Sequence, residues 1–267
     1  MIEKNKMLIV DGSNLLFQMF FGMPARIYNE DGIGIWGVIG FVGALLKIIR
    51  QTKPTHVAIL FDGESQNERK ELDSDYKANR IDYSEVADEE NPFSQLPYIY
   101  KALDFLGVAH AETTECETDD WIASYVKQYG VENEIVISSF DSDFFQLLSN
   151  QVSILRYRGD KSAICTPDFL WNKFGILPEQ YADFKSMTGD KADNIIGADK
   201  IGPKTAGALL QEYGTLAAIL DNAENIHKKT VRESIIKNKE RLLLNIKLIK
   251  LDGIHEVPFQ LEQMNSI

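Results

Sequence analysis

Three short runs of aliphatic and β-branched residues decide the fold: MLIVD at residues 7–11, VAILFD at 57–62 and IVISS at 135–139. Each run has the length of a buried strand, and helical patterns separate one run from the next. Strands that alternate with helices are typical of a parallel sheet with helices on its faces. The sequence therefore predicts an α/β fold with a mostly parallel central sheet.

Each of the three runs leads to an acidic residue. Asp11 ends the first run, Asp62 ends the second, and Asp141 and Asp143 follow the third. The carboxyl ends of parallel strands meet at one edge of the sheet, where such sheets bind ligands. We therefore expect these four carboxylates to lie close together.

A further group of acids begins a predicted helix at ECETDDWIASYVKQYG, residues 115–130. We expect Thr118 to be its N-cap, which places Asp119 and Asp120 in the first turn. Acids are common at helix starts because of the helix dipole. Together with Glu117, however, they form three neighbouring carboxylates, which repel one another unless a cation lies among them.

These acids form a set that suits divalent cations, and no histidine lies near them in the sequence. Oxygen ligands without imidazole or thiolate favour Mg²⁺ or Mn²⁺ over zinc. Two such ions about 3.5 to 4 Å apart would activate a water and stabilise the leaving oxygen in phosphodiester hydrolysis. The candidate metal ligands are Asp11, Asp62, Glu117, Asp119, Asp120, Asp141, Asp143, Asp190 and Asp193.

Two changes of pattern divide the chain. Residues 64–97 are irregular, begin basic and end acidic, and are too long for an ordinary connection, so we expect a functional insert there. After about residue 165 the strand signals fade and helical patterns dominate. We place a domain boundary near Pro178, with an α/β core at 1–178 and a helical region at 179–267.

The helical region contains MTGDKADNIIGADKIGPKTAGALLQEYG at residues 187–214, with two glycine-centred turns and then a helix. We expect that helix to begin at Pro203 or Lys204. Backbone amides at a helix start, flanked by Lys200 and Lys204, would suit a phosphate group.

Composition and charge narrow the class of protein. The 267 residues are 44% hydrophobic and contain only two cysteines, Cys116 and Cys165, which excludes a disulfide-built domain and a cluster of cysteine ligands and fits a reducing cytoplasm. The net charge of −12 argues against a protein that coats nucleic acid by charge alone. Residues 200–250 hold ten Lys or Arg against five Asp or Glu, so this stretch is +5 and the remainder −17. The longest apolar run, residues 32–46, is too short to span a membrane.

Six motifs in this order resemble the 5′-nuclease or flap endonuclease superfamily, in the bacterial and phage branch that includes the N-terminal domain of DNA polymerase I. The motifs are LIVDGSNLLF (8–17), LFDG (60–63), RKELDSDYKANR (69–80), ETDDWIA (117–123), DSDFFQLL (141–148) and GDKADNIIGADKIGPKTA (189–206). The resemblance covers almost the whole chain. It implies the PIN-like 5′-nuclease fold, in which the insert at 64–97 is a helical arch, and a stand-alone member or a piece of a longer protein.

The resemblance also implies roles for individual residues. Asp11, Asp62, Glu117, Asp119 and Asp141 would form or support the tighter metal site, and Asp120, Asp143, Asp190 and Asp193 would line the second. Lys77 and Arg80 would lie at the base of the arch and contact the scissile phosphate as catalytic residues. Arg69 and Tyr76 would contact DNA, although packing of Tyr76 is an equal alternative.

The stretch 186–213 resembles the helix-hairpin-helix of that superfamily, which holds duplex DNA through backbone groups and often a K⁺ ion. The DNA-binding residues that this implies are Gly197, Lys200, Ile201, Gly202, Lys204 and Thr205. The implied protein is a cytoplasmic monomer that needs Mg²⁺, or Mn²⁺ in its place, and acts on DNA with a 5′ flap, a 5′ overhang or a nick, in some cases primed by RNA.

The function expected from these residues is metal-dependent, structure-specific 5′-3′ exonuclease and flap endonuclease activity in DNA replication and repair. Two alternatives stay open: a PIN-like ribonuclease, and a catalytically weak DNA-binding relative. The duplex-holding hairpin argues against the first, and the full set of acids argues against the second. A phosphatase of the haloacid type is excluded because Gly12 and Ser13 follow Asp11 without a second acid at residue 13.

Overall fold

The computed structural model describes residues 5–63 and 68–266. In these residues a six-stranded sheet has the order β3-β2-β1-β4-β5-β6. All neighbouring strands are parallel except β5 and β6, which are antiparallel. The predicted α/β fold with a mostly parallel sheet is confirmed. The strands are β1 (Lys6–Asp11), β2 (His56–Phe61), β3 (Ala109–Glu112), β4 (Glu134–Ser138), β5 (Val152–Arg156) and β6 (Ala163–Cys165).

Helices cover both faces of the sheet. They are α1 (Gly12–Gly22), α2 (Trp36–Thr52), α3 (Glu68–Leu72), α4 (Leu96–Leu106), α5 (Thr118–Tyr129), α6 (Pro167–Phe174), α7 (Tyr181–Thr188), α8 (Pro203–Tyr213), α9 (Leu216–Asp221), α10 (Lys229–Lys237) and α11 (Lys239–Ile249). In the parts of the chain that the structure describes, none of these helices has the length and apolar character that crossing a membrane requires.

Successive side chains of β1 point alternately into two hydrophobic cores, one on each face of the sheet. Leu8 and Val10 face a core built with α1, α2 and α4, whereas Met7 and Ile9 face a core that continues into the C-terminal helices. Because both faces of β1 are buried, its sequence reads as one apolar run until Asp11. The C-terminal helices therefore pack directly on the sheet, next to the acids at its edge.

The insert at 64–97 packs on α1 and α11. Residues 64–67 lie outside the described residues, and after α3 the chain forms mainly turns up to a short 3₁₀ helix at Pro92–Gln95. Phe17 of α1 contacts Tyr83 and Phe93 edge to face, with ring centroids 5.6 and 5.4 Å away. Arg241 of α11 contacts Asp73 at 3.4 Å. These contacts fix the described part of the insert beside the edge of the sheet that carries Asp11, Asp62 and Asp141. We call this edge the acidic edge.

Candidate active site

The end of β1 and the start of α1 place a buried acid, Asp11. Asp11 is the N-cap of α1, and its carboxylate accepts hydrogen bonds from the Asn14 amide at 2.9 Å and the Ser139 hydroxyl at 2.8 Å. Burial, with the charges of Asp62 and Asp141, raises the pKa of Asp11 to about 7. The carboxylates of Asp62 and Asp141 thus lie close enough to that of Asp11 to repel it.

Asp62 connects β2 to two helix starts. Its amide donates to the Ser13 hydroxyl at 2.9 Å, and its carboxylate accepts from the Thr118 amide at 3.1 Å. The expectation that Thr118 caps α5 is wrong: Glu117 is the N-cap and Thr118 is the first helical residue. The side chain of Glu117, just before the helix, lies beside the basic residues of the insert.

Glu117 joins the acids to three groups of the insert. Its carboxylate pairs with Lys77 at 2.6 Å and Arg69 at 2.7 Å, and it accepts from the Tyr76 hydroxyl at 3.2 Å. Burial disfavours the charged form of Lys77, but the surrounding carboxylates, Glu117 above all, outweigh it and raise the pKa of the lysine. Lys77 is therefore a fixed cation at the acidic edge.

The side chains of Asp119 and Asp120 extend from the same turn of α5, but their surroundings differ. Burial and the charge of Asp141 raise the pKa of Asp119 well above its ordinary value. The carboxylate of Asp120 instead forms a two-pronged pair with Arg69, at 2.6 and 2.9 Å, and accepts from the Glu117 amide at 3.3 Å. Asp119 thus belongs with Asp141, whereas the partners of Asp120 lie on the insert side.

A second acidic group combines Asp143, which follows β4, with Asp190 and Asp193 of the motif at 189–194. Single carboxylate oxygens of Asp143, Asp190 and Asp193 lie within 4.8 Å of one another. Lys185 of α7 contacts both Asp143 and Asp190, and Arg80 contacts Asp193 at 2.8 Å. Burial works against a charged Lys185, yet the neighbouring Asp143 and Asp190 raise its pKa. Two basic side chains thus hold these three acids together.

Lys185 and Ser139 are residues that the motifs do not single out. Lys185 is 5% exposed and lies on a helix that is otherwise mostly apolar on its buried face. A lysine in such a position five residues before Asp190 is the signal that could have indicated an ion pair. The Ser139 hydroxyl bonds Asp11 and also accepts from the Asp141 amide at 3.0 Å, which ties the ends of β1 and β4 together.

The insert is hydrogen bonded to the loop that carries Asp190 and Asp193. The Lys77 amide donates to the carbonyl of Asp193 at 2.9 Å. The Asn79 side chain donates to the Lys191 carbonyl at 3.0 Å, and the Asn194 side chain returns a bond to the Asp75 carbonyl at 2.8 Å. Residues 75–80 and 190–194 therefore form one unit, which we call the stitched loops.

Tyr76 is packed rather than presented to a ligand. Its side chain is 4% exposed and lies in a small core with Ala182, Ile195, Leu248 and Ile249. An aromatic ring must be accessible to stack on a base. The packing alternative therefore describes the position of Tyr76 in this structure, and a contact between Tyr76 and DNA stays a prediction.

The hairpin after the stitched loops has a close-packed base and an exposed tip. A Cβ at Gly197 would lie 2.4 Å from the Met187 carbonyl oxygen, so only glycine fits there. Gly202 precedes α8, which begins at Pro203 as expected. Ile201 is buried in the core, Thr205 is half-buried, and Lys200 and Lys204 are exposed.

Comparison with known proteins agrees with this combination of an α/β sheet and a C-terminal helical region. The family models described as 5′-3′ exonuclease, N-terminal resolvase-like domain and 5′-3′ exonuclease, C-terminal SAM fold match residues 6–175 and 176–266. The chain belongs to the 5′-3′ exonuclease family, a family of nuclease hydrolases.

Among curated relatives, DNA polymerase I of Rhizobium leguminosarum is 35% identical over 270 residues, which cover 98% of this chain and 26% of that protein. The thermostable DNA polymerase I of Thermus aquaticus is 35% identical over 249 residues, 93% of this chain and 29% of that protein. The chain thus spans less than a third of the length of these relatives.

Solved structures share the fold. The flap endonuclease D15 of bacteriophage T5, in a pseudo-enzyme-product complex with DNA and metal ions, has a TM-score of 0.77 at 22% identity and covers 92% of this chain and 89% of its own. The catalytic core of Rad2 in complex with DNA substrate has a TM-score of 0.61 at 14% identity and covers 96% and 85%.

Proposed function

We propose that the chain is a Mg²⁺-dependent, structure-specific 5′-nuclease that hydrolyses phosphodiester bonds in DNA with a 5′ flap, a 5′ overhang or a nick. The observation that carries the proposal is the convergence of strand-end acids, the acids of α5 and basic insert side chains at one edge of the sheet. Such a centre could bind cations and a phosphate at the same place. The similarity to a T5 flap endonuclease bound to DNA and metal ions supports it.

The donor set fits Mg²⁺. In the described residues the first group offers carboxylate oxygens, and carboxylates close enough to repel one another are stabilised by a divalent cation. The residues proposed to hold or support the first ion are Asp11, Asp62, Glu117, Asp119 and Asp141, and those proposed for the second are Asp143, Asp190 and Asp193. When bound, the ions supply an activated water and stabilise the leaving oxygen, and Mn²⁺ would serve in place of Mg²⁺.

We assign Asp120 a supporting role instead of a place in the second group. Its carboxylate is bound by Arg69 through two nitrogens, and its position on α5 is next to Asp119. A two-pronged guanidinium pair fixes the direction of a carboxylate. Asp120 and Arg69 would therefore hold α3 against the start of α5 and keep Glu117 and Asp119 in place.

Lys77 and Arg80 would contact the scissile phosphate. Both are held by carboxylates of the proposed metal groups, Lys77 by Glu117 and Arg80 by Asp193. A cation whose position is fixed before the reaction stabilises developing negative charge without reorganisation. The stitched loops supply that fixation, because the Lys77 backbone is bonded to the Asp193 backbone.

The hairpin would hold the duplex away from the cut. Lys200 and Lys204 are exposed near the start of α8, Thr205 is half-buried beside them, and the turn at Asp199 and Lys200 brings backbone groups near the surface. Phosphate contacts of this kind position a duplex without reading its sequence. We include a K⁺ ion at this hairpin in the proposal.

The experiment is cleavage of a 5′-labelled flap duplex by the purified protein with Mg²⁺. An EDTA control and a single-stranded RNA of matched length accompany it. Cutting at the flap junction only with metal is the expected result. Cutting of the RNA alone would favour the PIN-like ribonuclease, and no cutting of either would favour the catalytically weak DNA-binding relative.

A further inference from the structure

A cleft of about 150 Å³ lies behind the acidic edge, between the start of α5 and the segment after α11. Its lining includes Cys116 just before α5, Asp120 in the first turn of α5 and His255 on the far wall. A water needs roughly 10 to 15 Å³ of such space, so the cleft has room for an ion with a water ligand.

The polar atoms of these three side chains converge. The sulfur of Cys116, a carboxylate oxygen of Asp120 and a ring nitrogen of His255 lie within 4.8 Å of one another. The Cys116 side chain is 7% exposed, and in residues 5–63 and 68–266 neither its thiol nor the His255 ring forms a hydrogen bond. Three ligand atoms therefore face one point without bonding each other.

The surrounding contacts fix the Asp120 carboxylate and the backbone at His255. Arg69 and the Glu117 amide fix the Asp120 carboxylate. The His255 amide donates to the Ser124 hydroxyl at 3.1 Å, and that hydroxyl donates to the Asp120 carbonyl at 2.7 Å. A ligating carboxylate that is itself hydrogen bonded, as that of Asp120 is, is typical of metal sites.

We propose that Cys116, Asp120 and His255 bind one Zn²⁺ ion, separate from the Mg²⁺ centre, which joins the segment 250–258 to the start of α5. A thiolate, an imidazole and a carboxylate suit the borderline-soft Zn²⁺, whereas Mg²⁺ takes oxygen ligands. The fourth position is left for water. The sequence gives little sign of this site, because His255 lies 135 residues after Asp120.

The charges of the cleft balance a divalent cation. Its lining includes three cations, Arg69, Lys247 and Lys250, and four carboxylates, those of Glu115, Glu117, Asp120 and Asp252. These charges sum to −1, and a Cys116 thiolate formed when the metal displaces the thiol proton would bring the sum to −2. The segment 250–258 has no helix or strand, so an ion there would stabilise a part of the chain with few backbone hydrogen bonds.

The test is titration of the full chain with Co²⁺, with Mg²⁺ in excess to fill the carboxylate centre. A cobalt–thiolate bond gives an ultraviolet charge-transfer band that cobalt on carboxylates does not give. Because the chain has two cysteines, Cys165→Ala is the matched control for Cys116→Ser. We expect the band at one equivalent in the parent and in Cys165→Ala, its loss in Cys116→Ser, and its displacement by Zn²⁺.

A band that survives in Cys116→Ser, or no band in the folded parent, overturns the proposal. His255→Gln lies on the segment without regular structure and provides a second variant if Cys116→Ser fails to fold: it should weaken Co²⁺ binding at least tenfold, and unchanged binding also overturns the site. None of these readouts depends on nuclease activity. Failure of the zinc site therefore leaves the nuclease proposal standing, and failure of flap cleavage leaves the zinc site standing.

Discussion

The basic residues of the acidic edge and those of the hairpin differ in burial and in pairing. At the edge, Lys77 and Lys185 are buried and paired with carboxylates. At the hairpin, Lys200 and Lys204 are exposed, and no ion pair is found for them within the described residues. Buried pairs fix geometry at the cost of desolvation, whereas exposed charges act at a distance and are screened by salt. In the proposed function, the first region would position the reacting groups and the second would hold the polyanion.

The largest effect should follow loss of a strand-end acid. We expect Asp141→Asn to lower the cleavage rate by roughly 100-fold or more, because the carboxylate is a proposed metal ligand, while DNA affinity stays within a few-fold. The measurement is single-turnover cleavage of the flap duplex alongside a binding titration. Asp160→Asn, an exposed acid beyond β5, is the control. Equal cleavage by Asp141→Asn and the parent would remove this residue from the centre.

The next effect concerns a buried lysine of the edge. Lys77→Ala should slow the single-turnover rate by about 100-fold and change DNA binding much less, because a fixed cation acts on the transition state. Lys70→Ala, on the exposed side of α3, is the matched control. If Lys77→Ala weakened binding and left the single-turnover rate unchanged, Lys77 would act like the hairpin lysines and the contrast between the regions would fail.

Asp11 of the acidic edge should also make the stability of the protein depend on pH. In the metal-free protein the pKa of Asp11 is raised to about 7, so the folded state holds its proton more tightly than the unfolded chain. The stability that this proton gives is present at acidic pH and is lost as pH rises from about 4 to 7. In EDTA the unfolding midpoint should fall over this window, and the slope should be smaller in Asp11→Asn. An unchanged slope in the variant would assign the dependence to other groups.

The smallest effect is expected at the hairpin. Lys204→Ala should weaken duplex binding a few-fold and reduce the slope of log affinity against log salt by about 0.9, the value for one phosphate contact. Lys47→Ala, an exposed lysine of α2, is the control. The measurement is a binding titration at several salt concentrations, and a slope equal to that of the parent would discard the contact.

The sequence predicts the parts of this molecule that local patterns determine. The strands before Asp11, Asp62 and Asp141 appear as apolar runs because both faces of the sheet are covered. The start of α8 follows from Pro203 and the glycine before it. Each of these features depends on neighbours in the chain.

The contacts that the sequence does not predict are between distant segments. The burial of Tyr76 depends on α7 and α11, more than 100 residues away, and so no motif indicates it. The same holds for Lys185 between Asp143 and Asp190, and for the approach of His255 to Asp120. Spacing along the chain identifies acids that could share a site, but only the folded chain decides which basic residue lies between them.

The stitched loops have a consequence for exchanging parts between relatives. Asn79 and Asn194 each bind the other segment's backbone, so the two segments fit together as a matched pair although about 110 residues separate them. A chimera that takes only the insert from another member of the family replaces Asn79 and the backbone at Asp75 together, so both bonds then depend on how the new segment fits. One that takes 75–80 and 190–194 together would keep them, which makes the pair, and not either motif alone, the smallest transferable module.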